Sequence, residues 1–164
     1  MGSTYDLPFS KKICEAPTQF SISSDLRIAS AHRTPEVLLK MMKEYASGNE
    51  EIIAITVAGL SDVLSSVIPA QRLFPITTCP PDLDKYDFQK VFSTAFAPSD
   101  VPVAFVNDPV KAANLVAQIF ALSNLKLKEL ILSKLGEKRK HIEAPDKEAV
   151  EASIIHDLRQ RCRN

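Results

Sequence analysis

The sequence predicts an α/β protein, a parallel sheet held between helices in three layers (α/β/α). Three observations predict it. Apolar, β-branched runs of strand length recur along the chain, the clearest at residues 51–57. Each run leads into a turn of small or polar residues. Each turn leads into apolar residues at spacings of three and four, the mark of an amphipathic helix. Strand, turn and helix repeated in that order build a parallel sheet with helices on both faces.

The elements follow in order. Gly2, Ser3, Thr4 and Asp6 favour a turn that exposes backbone donors. Asp6 is the expected N-cap of a short helix over 7–16, and 17–24 reads as a polar loop. Residues 26–29 suit a short strand. Thr34 is the expected N-cap of a helix over 35–47, with Pro35 at the first helical position and Gly48 after its end. The strand at 51–57 runs into Ala58, Gly59, Leu60, Ser61 and Asp62. Val63, Leu64, Val67 and Ile68 then recur at helical spacing. A third strand at 75–78 is stopped by Cys79-Pro80-Pro81, since two prolines cannot continue a ladder. Residues 82–87 are polar, and a turn or two of helix is expected over 88–96. A fourth strand at 101–106 precedes Asp108-Pro109, a second pairing of N-cap and first-position proline. The helix over 110–122 is apolar nearly all round and belongs in a core or an interface. Leu127, Leu130, Ile131 and Leu135 mark a further helix over 125–135. Glu143 to Asp146 reads as a break around Pro145, before an amphipathic helix over 148–162. The domain boundary falls between 1–135 and a helical tail, 136–164.

Composition excludes several classes. The chain has 164 residues, enough for one domain with a real core. Its formal net charge is zero, which gives no support for a nucleic-acid or membrane-surface role. Cys14, Cys79 and Cys162 have no CxxC spacing, so neither a disulfide framework nor a zinc site is expected. A reducing, cytoplasmic setting fits that usage. With only four glycines, the dinucleotide fingerprint and the phosphate-binding P-loop are both absent. The basic cluster at 137–141, with His141, reads as solvated surface, and His156 likewise.

The chemistry concentrates at Ser30-Ala31-His32-Arg33-Thr34-Pro35. A strand-to-helix turn there aims backbone N–H groups outward, and the helix dipole favours an anion. A titratable imidazole and a fixed cation sit beside that anion site. The turns at Gly2 and Gly59 carry residues equally suited to a small anionic ligand. In parallel sheets such turns meet beyond the carboxyl ends of the strands.

These stretches, taken together, resemble the PurE-type 5-aminoimidazole ribonucleotide carboxylases of purine synthesis. The resemblance rests on Gly2-Ser3-Thr4 with Asp6, the Ser30-Ala31-His32-Arg33-Thr34-Pro35 block, Ala58-Gly59 and Cys79-Pro80-Pro81. It runs to about residue 135. Cys79-Pro80-Pro81 and the run from Ala117 to Asn124 are similar to the carbon-dioxide-using class II branch. His32-Arg33-Thr34-Pro35 is closer to the mutase branch, which acts on the N-carboxylated nucleotide.

The resemblance implies a flavodoxin-like three-layer sandwich and carboxylation of the nucleotide by carbon dioxide in de novo purine (IMP) biosynthesis, with no cofactor and no metal. Two alternatives stay open, the mutase and a non-catalytic relative that only binds or oligomerises. His32 would move the proton. Gly2, Ser3, Asp6, Ser30, Arg33, Gly59 and Ser61 would bind the substrate, Ser30 and Arg33 through its phosphate. The implied partners are the nucleotide, carbon dioxide and further copies of the chain in an octamer or tetramer, with no nucleic acid and no membrane. Two departures carry structural expectations. Family members have an apolar strand before the Gly-Ser turn, so a gap or a substitute is expected beside residues 26–29. The class II branch reads Ala-Gly-Arg-Ser-Asn where this chain has Ala58 to Asp62, which removes a cation from the ligand loop and adds a carboxylate.

Overall fold

The computed structural model describes the chain except residues 17–19, 72, 86–88 and 162–164, and except the side chains of 84, 89, 90, 147 and 151–161. Parts of the expected loop at 17–24 and polar stretch at 82–87, the expected helix start at Phe88 and end at Cys162, and the side chain of His156 lie outside the described residues. The chain divides into two compact units, Met1–Ile119 and Phe120–Asn164.

The first unit holds three parallel strands, β1 (Ala54–Thr56), β2 (Ile76–Thr78) and β3 (Ala104–Phe105), in the order β1-β2-β3. Ala54 stands opposite Ile76, and Thr77 opposite Ala104. The strands are shorter than their apolar runs, yet the ladder reaches past them. Ala54 N donates to Pro75 O, Cys79 N to Thr56 O and Val106 N to Thr78 O.

Successive strand residues point to opposite faces, and the core divides accordingly. On one face Ala54 and Ile76 join Leu38, Met41 and Met42 of α2 (Pro35–Ala46) and Leu64 of α3 (Leu64–Val67). On the other, Ile55 and Val57 join Ile13 of α1 (Leu7–Glu15) and Ala112 of α5 (Pro109–Phe120). Between β2 and β3 the chain forms α4 (Gln89–Ala95). The expected three-layer α/β/α arrangement follows from this division.

Residues 26–29 do not form the expected strand. They are extended but unladdered, with Leu26 and Ile28 exposed. The Met1 amine donates to Arg27 O at 2.7 Å, Ala29 N donates to Met1 O at 3.0 Å, and Gly2 N donates to Val57 O at 2.9 Å. Met1 and Gly2 thus bridge this segment to the end of β1. This is the gap expected beside 26–29. The segment is held instead from α2. Tyr45 Oη accepts from the Arg27 guanidinium and donates to Asp25, both at 3.1 Å.

Two expected caps are also corrected. Asp6 makes no side-chain cap bond to α1, since a short 3-10 turn, Thr4–Asp6, precedes that helix and the carboxylate is buried. Ser3 caps that turn instead, accepting from Tyr5 N. Thr34 does not cap α2 through its side chain, because its hydroxyl is engaged with Ser30. Asp108 does cap α5, accepting from Lys111 N at 2.9 Å. The helix α5 buries one face, Ala112, Ala113, Val116 and Ala117, and leaves Val110 about half exposed.

The second unit carries one long helix, α6 (Leu125–Arg161), capped by Asn124, whose side-chain Oδ1 accepts from Leu127 N. The expected break at 143–146 is absent, and Gly136 lies within the helix. Proline removes one helical hydrogen bond and kinks a helix without having to end it. Pro145 is flanked by Glu, Ala and Lys, strong helix formers, on a solvent-exposed stretch. No helix among the described residues is long and apolar enough to cross a membrane.

Candidate active site

The site is built at the carboxyl ends of the first unit's extended segments. Four stretches far apart in sequence line one cavity of about 810 Å³. Gly2, Ser3 and Asp6 come from the amino-terminal turn and Ser30 to Arg33 from the turn before α2. Ala58 to Ser61 follow β1, and Pro81 and Asp82 follow β2. Every residue that sequence reasoning assigned to the site lies in this lining: His32, Gly2, Ser3, Asp6, Ser30, Arg33, Gly59 and Ser61.

The Ser30–Arg33 turn is rigid for local reasons. The Thr34 hydroxyl accepts from Ser30 N at 3.0 Å and donates to Ser30 O at 3.3 Å. Thr34 N also donates to Ser30 O, and Arg33 N donates to Ser30 Oγ at 3.2 Å. Ser30 and Thr34 are thus clamped together, and Ala31, His32 and Arg33 are carried on the loop between them. His32 and Arg33 are exposed toward the cavity they line. Pro35 then starts α2 with its φ already set.

Gly59 and Asp6 meet within the same lining. Asp6 is 7% exposed, and a Cβ added at Gly59 would lie 3.0 Å from its Oδ1. That is closer than side-chain carbons ordinarily approach, so the absence of a side chain at Gly59 sets where the Asp6 carboxylate rests. Asp82 adopts a left-handed backbone, φ 56°, which Asp tolerates better than most residues. Its carboxylate pairs with Lys85 at 3.1 Å.

The carboxylate that the sequence adds to the ligand loop is not presented to the ligand. Asp62 is fully buried and does not line the cavity. Its Oδ2 accepts from the Thr78 hydroxyl at 2.6 Å and the Thr94 hydroxyl at 3.2 Å, and its Oδ1 from Ser65 N at 3.3 Å. Its own N–H donates to Ser93 Oγ. Asp62 therefore ties the loop after β1 to the end of β2 and to α4. The lost cation is visible: Leu60 lines the cavity and is 70% exposed.

Cys79 is no nucleophile. Burial, with a smaller contribution from the Asp108 carboxylate, pushes its thiol up to about 12, so it stays protonated. Among the described residues no group of three or more His, Cys, Asp or Glu side chains could hold a metal ion. Among the lining residues that sequence reasoning missed are Lys12, Phe9, Leu60 and Asp82. Only Lys12 and Phe9 left a signal. Tyr5, Pro8 or Phe9, and Lys12 recur at spacings of three and four, which places them on one helical face.

The model of the family described as AIR carboxylase matches residues 1–143. The chain belongs to the AIR carboxylase family. It is 39% identical over 148 residues to the phosphoribosylaminoimidazole carboxylase of Archaeoglobus fulgidus, covering 90% of this chain and 81% of that one. It is 36% identical over 135 residues to the human bifunctional phosphoribosylaminoimidazole carboxylase/phosphoribosylaminoimidazole succinocarboxamide synthetase, covering 82% of this chain but 31% of the human protein. The crystal structure of Treponema denticola PurE superposes with a TM-score of 0.85 at 31% identity, covering 90% of this chain and 94% of that one. The parallel sheet with flanking helices is therefore the flavodoxin-like fold of AIR carboxylases. The cavity lies where that fold places ligands, beyond the strands' carboxyl ends.

Proposed function

We propose that the protein is a phosphoribosylaminoimidazole carboxylase that joins carbon dioxide to 5-aminoimidazole ribonucleotide. One observation carries the reading. Eight residues chosen for this chemistry come from separated stretches and line one cavity, with His32 among them. Membership of the AIR carboxylase family supports the substrate class.

The chemistry asks little of the protein beyond placement and one proton transfer. The ring carbon next to the amino group is enamine-like. It attacks carbon dioxide, forming a carbon–carbon bond while one C=O bond opens to a carboxylate. The adduct keeps its hydrogen on that carbon and carries the positive charge in the ring. His32 takes the proton, the electron pair returns to the ring, and aromaticity is restored. Holding nucleotide and carbon dioxide together supplies much of the remaining rate. Ser30 and Arg33 hold the phosphate at the turn before α2, Ser3 and Asp6 the phosphate and ribose, and Gly2, Gly59 and Ser61 shape the wall over the base.

Product formed from the nucleotide and bicarbonate without ATP tests the reading. Carboxylated product supports it. Turnover of the N-carboxylated nucleotide alone makes the protein a mutase, and turnover of neither makes it non-catalytic.

Gly59→Ala is expected to weaken nucleotide binding about tenfold, the scale of one hydrogen bond to a charged group. The added methyl displaces the Asp6 carboxylate from its seat. Calorimetric titration measures this, and unchanged affinity removes Asp6 from the ribose contact.

The assembly is a second expectation. Val110 of α5 is 47% exposed in the single chain, although that helix is apolar on most sides. We place it in a contact between copies in a cytoplasmic homo-oligomer, an octamer as the family resemblance implies. Light scattering at micromolar concentration checks this, and a monomer refutes it.

A further inference from the structure

We propose that Lys12 is a substrate-binding residue, the second cation on a phosphate monoester whose first cation is Arg33. The identity of the ligand rests on the carboxylase reading; the role of Lys12 rests on the cavity's charges. Lys12 lines the cavity and its neighbour Lys11 does not. The helix explains the difference: Lys12 follows Pro8 and Phe9 on the face of α1 turned to the site, and Lys11 is rotated away by about 100°.

Besides Tyr5, five ionisable side chains line the cavity: Asp6, Lys12, His32, Arg33 and Asp82. The Asp82 charge is offset by Lys85 at 3.1 Å. Among the described residues neither Lys12 nor Arg33 forms an ion pair with a carboxylate. The loop after β1 contributes no cation, and its outermost residue is the exposed Leu60. A phosphate monoester carries roughly −1.5 to −2 charges at neutral pH. Arg33 alone leaves it under-neutralised. Lys12 supplies the missing charge from the α1 wall, on a flexible four-carbon stem that reaches inward from an exposed position. The consequence is specificity: the pair favours the nucleotide over the dephosphorylated nucleoside.

The test is calorimetric binding of aminoimidazole ribonucleotide and of the corresponding riboside to the wild-type protein, Lys12→Met, Lys12→Arg and Lys11→Met. Methionine keeps the stem's length and removes the charge. Lys12→Met is expected to lose roughly 10- to 100-fold in nucleotide affinity and nothing in riboside affinity, and to show a weaker salt dependence. Inorganic phosphate displaces the nucleotide more weakly from Lys12→Met than from wild type. Lys12→Arg and Lys11→Met stay within a few-fold of wild type. Unchanged nucleotide affinity in Lys12→Met overturns the proposal, and so does an equal loss for both ligands. Wild-type turnover is read separately. Phosphate-selective binding without turnover sinks the carboxylase reading and leaves Lys12 standing. A wild-type protein indifferent to the phosphate overturns Lys12 whatever its turnover.

Discussion

His32→Asn is expected to lose at least about a hundredfold in turnover, the lower bound of what general acid–base residues contribute. It keeps the fold and nucleotide binding. Asparagine is similar in size and retains a hydrogen-bonding edge but does not titrate near neutral pH. The structure explains why folding is spared. His32 is exposed on a turn whose shape is set by Ser30 and Thr34, and no bond of that clamp involves the imidazole. Arg33→Ala is expected to show the reverse pattern, a weaker nucleotide complex with a smaller loss of turnover at saturation, because a charge-assisted phosphate contact is lost. Steady-state kinetics with direct binding measurements separate the two. Equal turnover for His32→Asn and wild type assigns the proton to another group.

Asp62→Ala is expected to destabilise the fold by about 3 kcal/mol or more. It strands the buried Thr78 and Thr94 hydroxyls and the Ser65 N–H, each costing on the order of 1–3 kcal/mol when unsatisfied. Asp62→Asn is expected to cost about 1 kcal/mol, since its carbonyl oxygen still accepts from Ser65 N and the hydroxyls rotate to accept from its amide. Urea unfolding of the two variants measures the difference. A loss below 1 kcal/mol for Asp62→Ala contradicts the buried network at 2.6–3.3 Å. Because Asp62 anchors the loop that carries Gly59 and Ser61, the alanine variant also loosens one wall of the cavity.

The sequence by itself determined the layers and named stretches that come to line one cavity. Alternating strand and helix periodicities, punctuated by Gly59, Pro35 and Cys79-Pro80-Pro81, are local properties, and local physics places them. The lining stretches were legible because each is a turn of small or polar residues leading into a helix, and a parallel sheet gathers such turns at one edge. The tertiary structure decided what depends on partners. Residues 26–29 have a strand's composition but are no strand: Arg27 O and Ala29 N bond Met1, and Tyr45 of α2 holds Arg27 and Asp25. Thr34 and Asp6 have the chemistry of helix caps, yet the Thr34 hydroxyl is engaged with Ser30 and the Asp6 carboxylate is buried at the end of a 3-10 turn. Asp62 reads in sequence as a charge facing an anionic ligand. It is instead buried against Thr78 and Thr94, because hydroxyls 16 and 32 residues away offer it donors that the cavity does not. Composition and periodicity report what a residue can do nearby; which distant group satisfies a buried polar atom is settled only when the sheet and its helices are assembled.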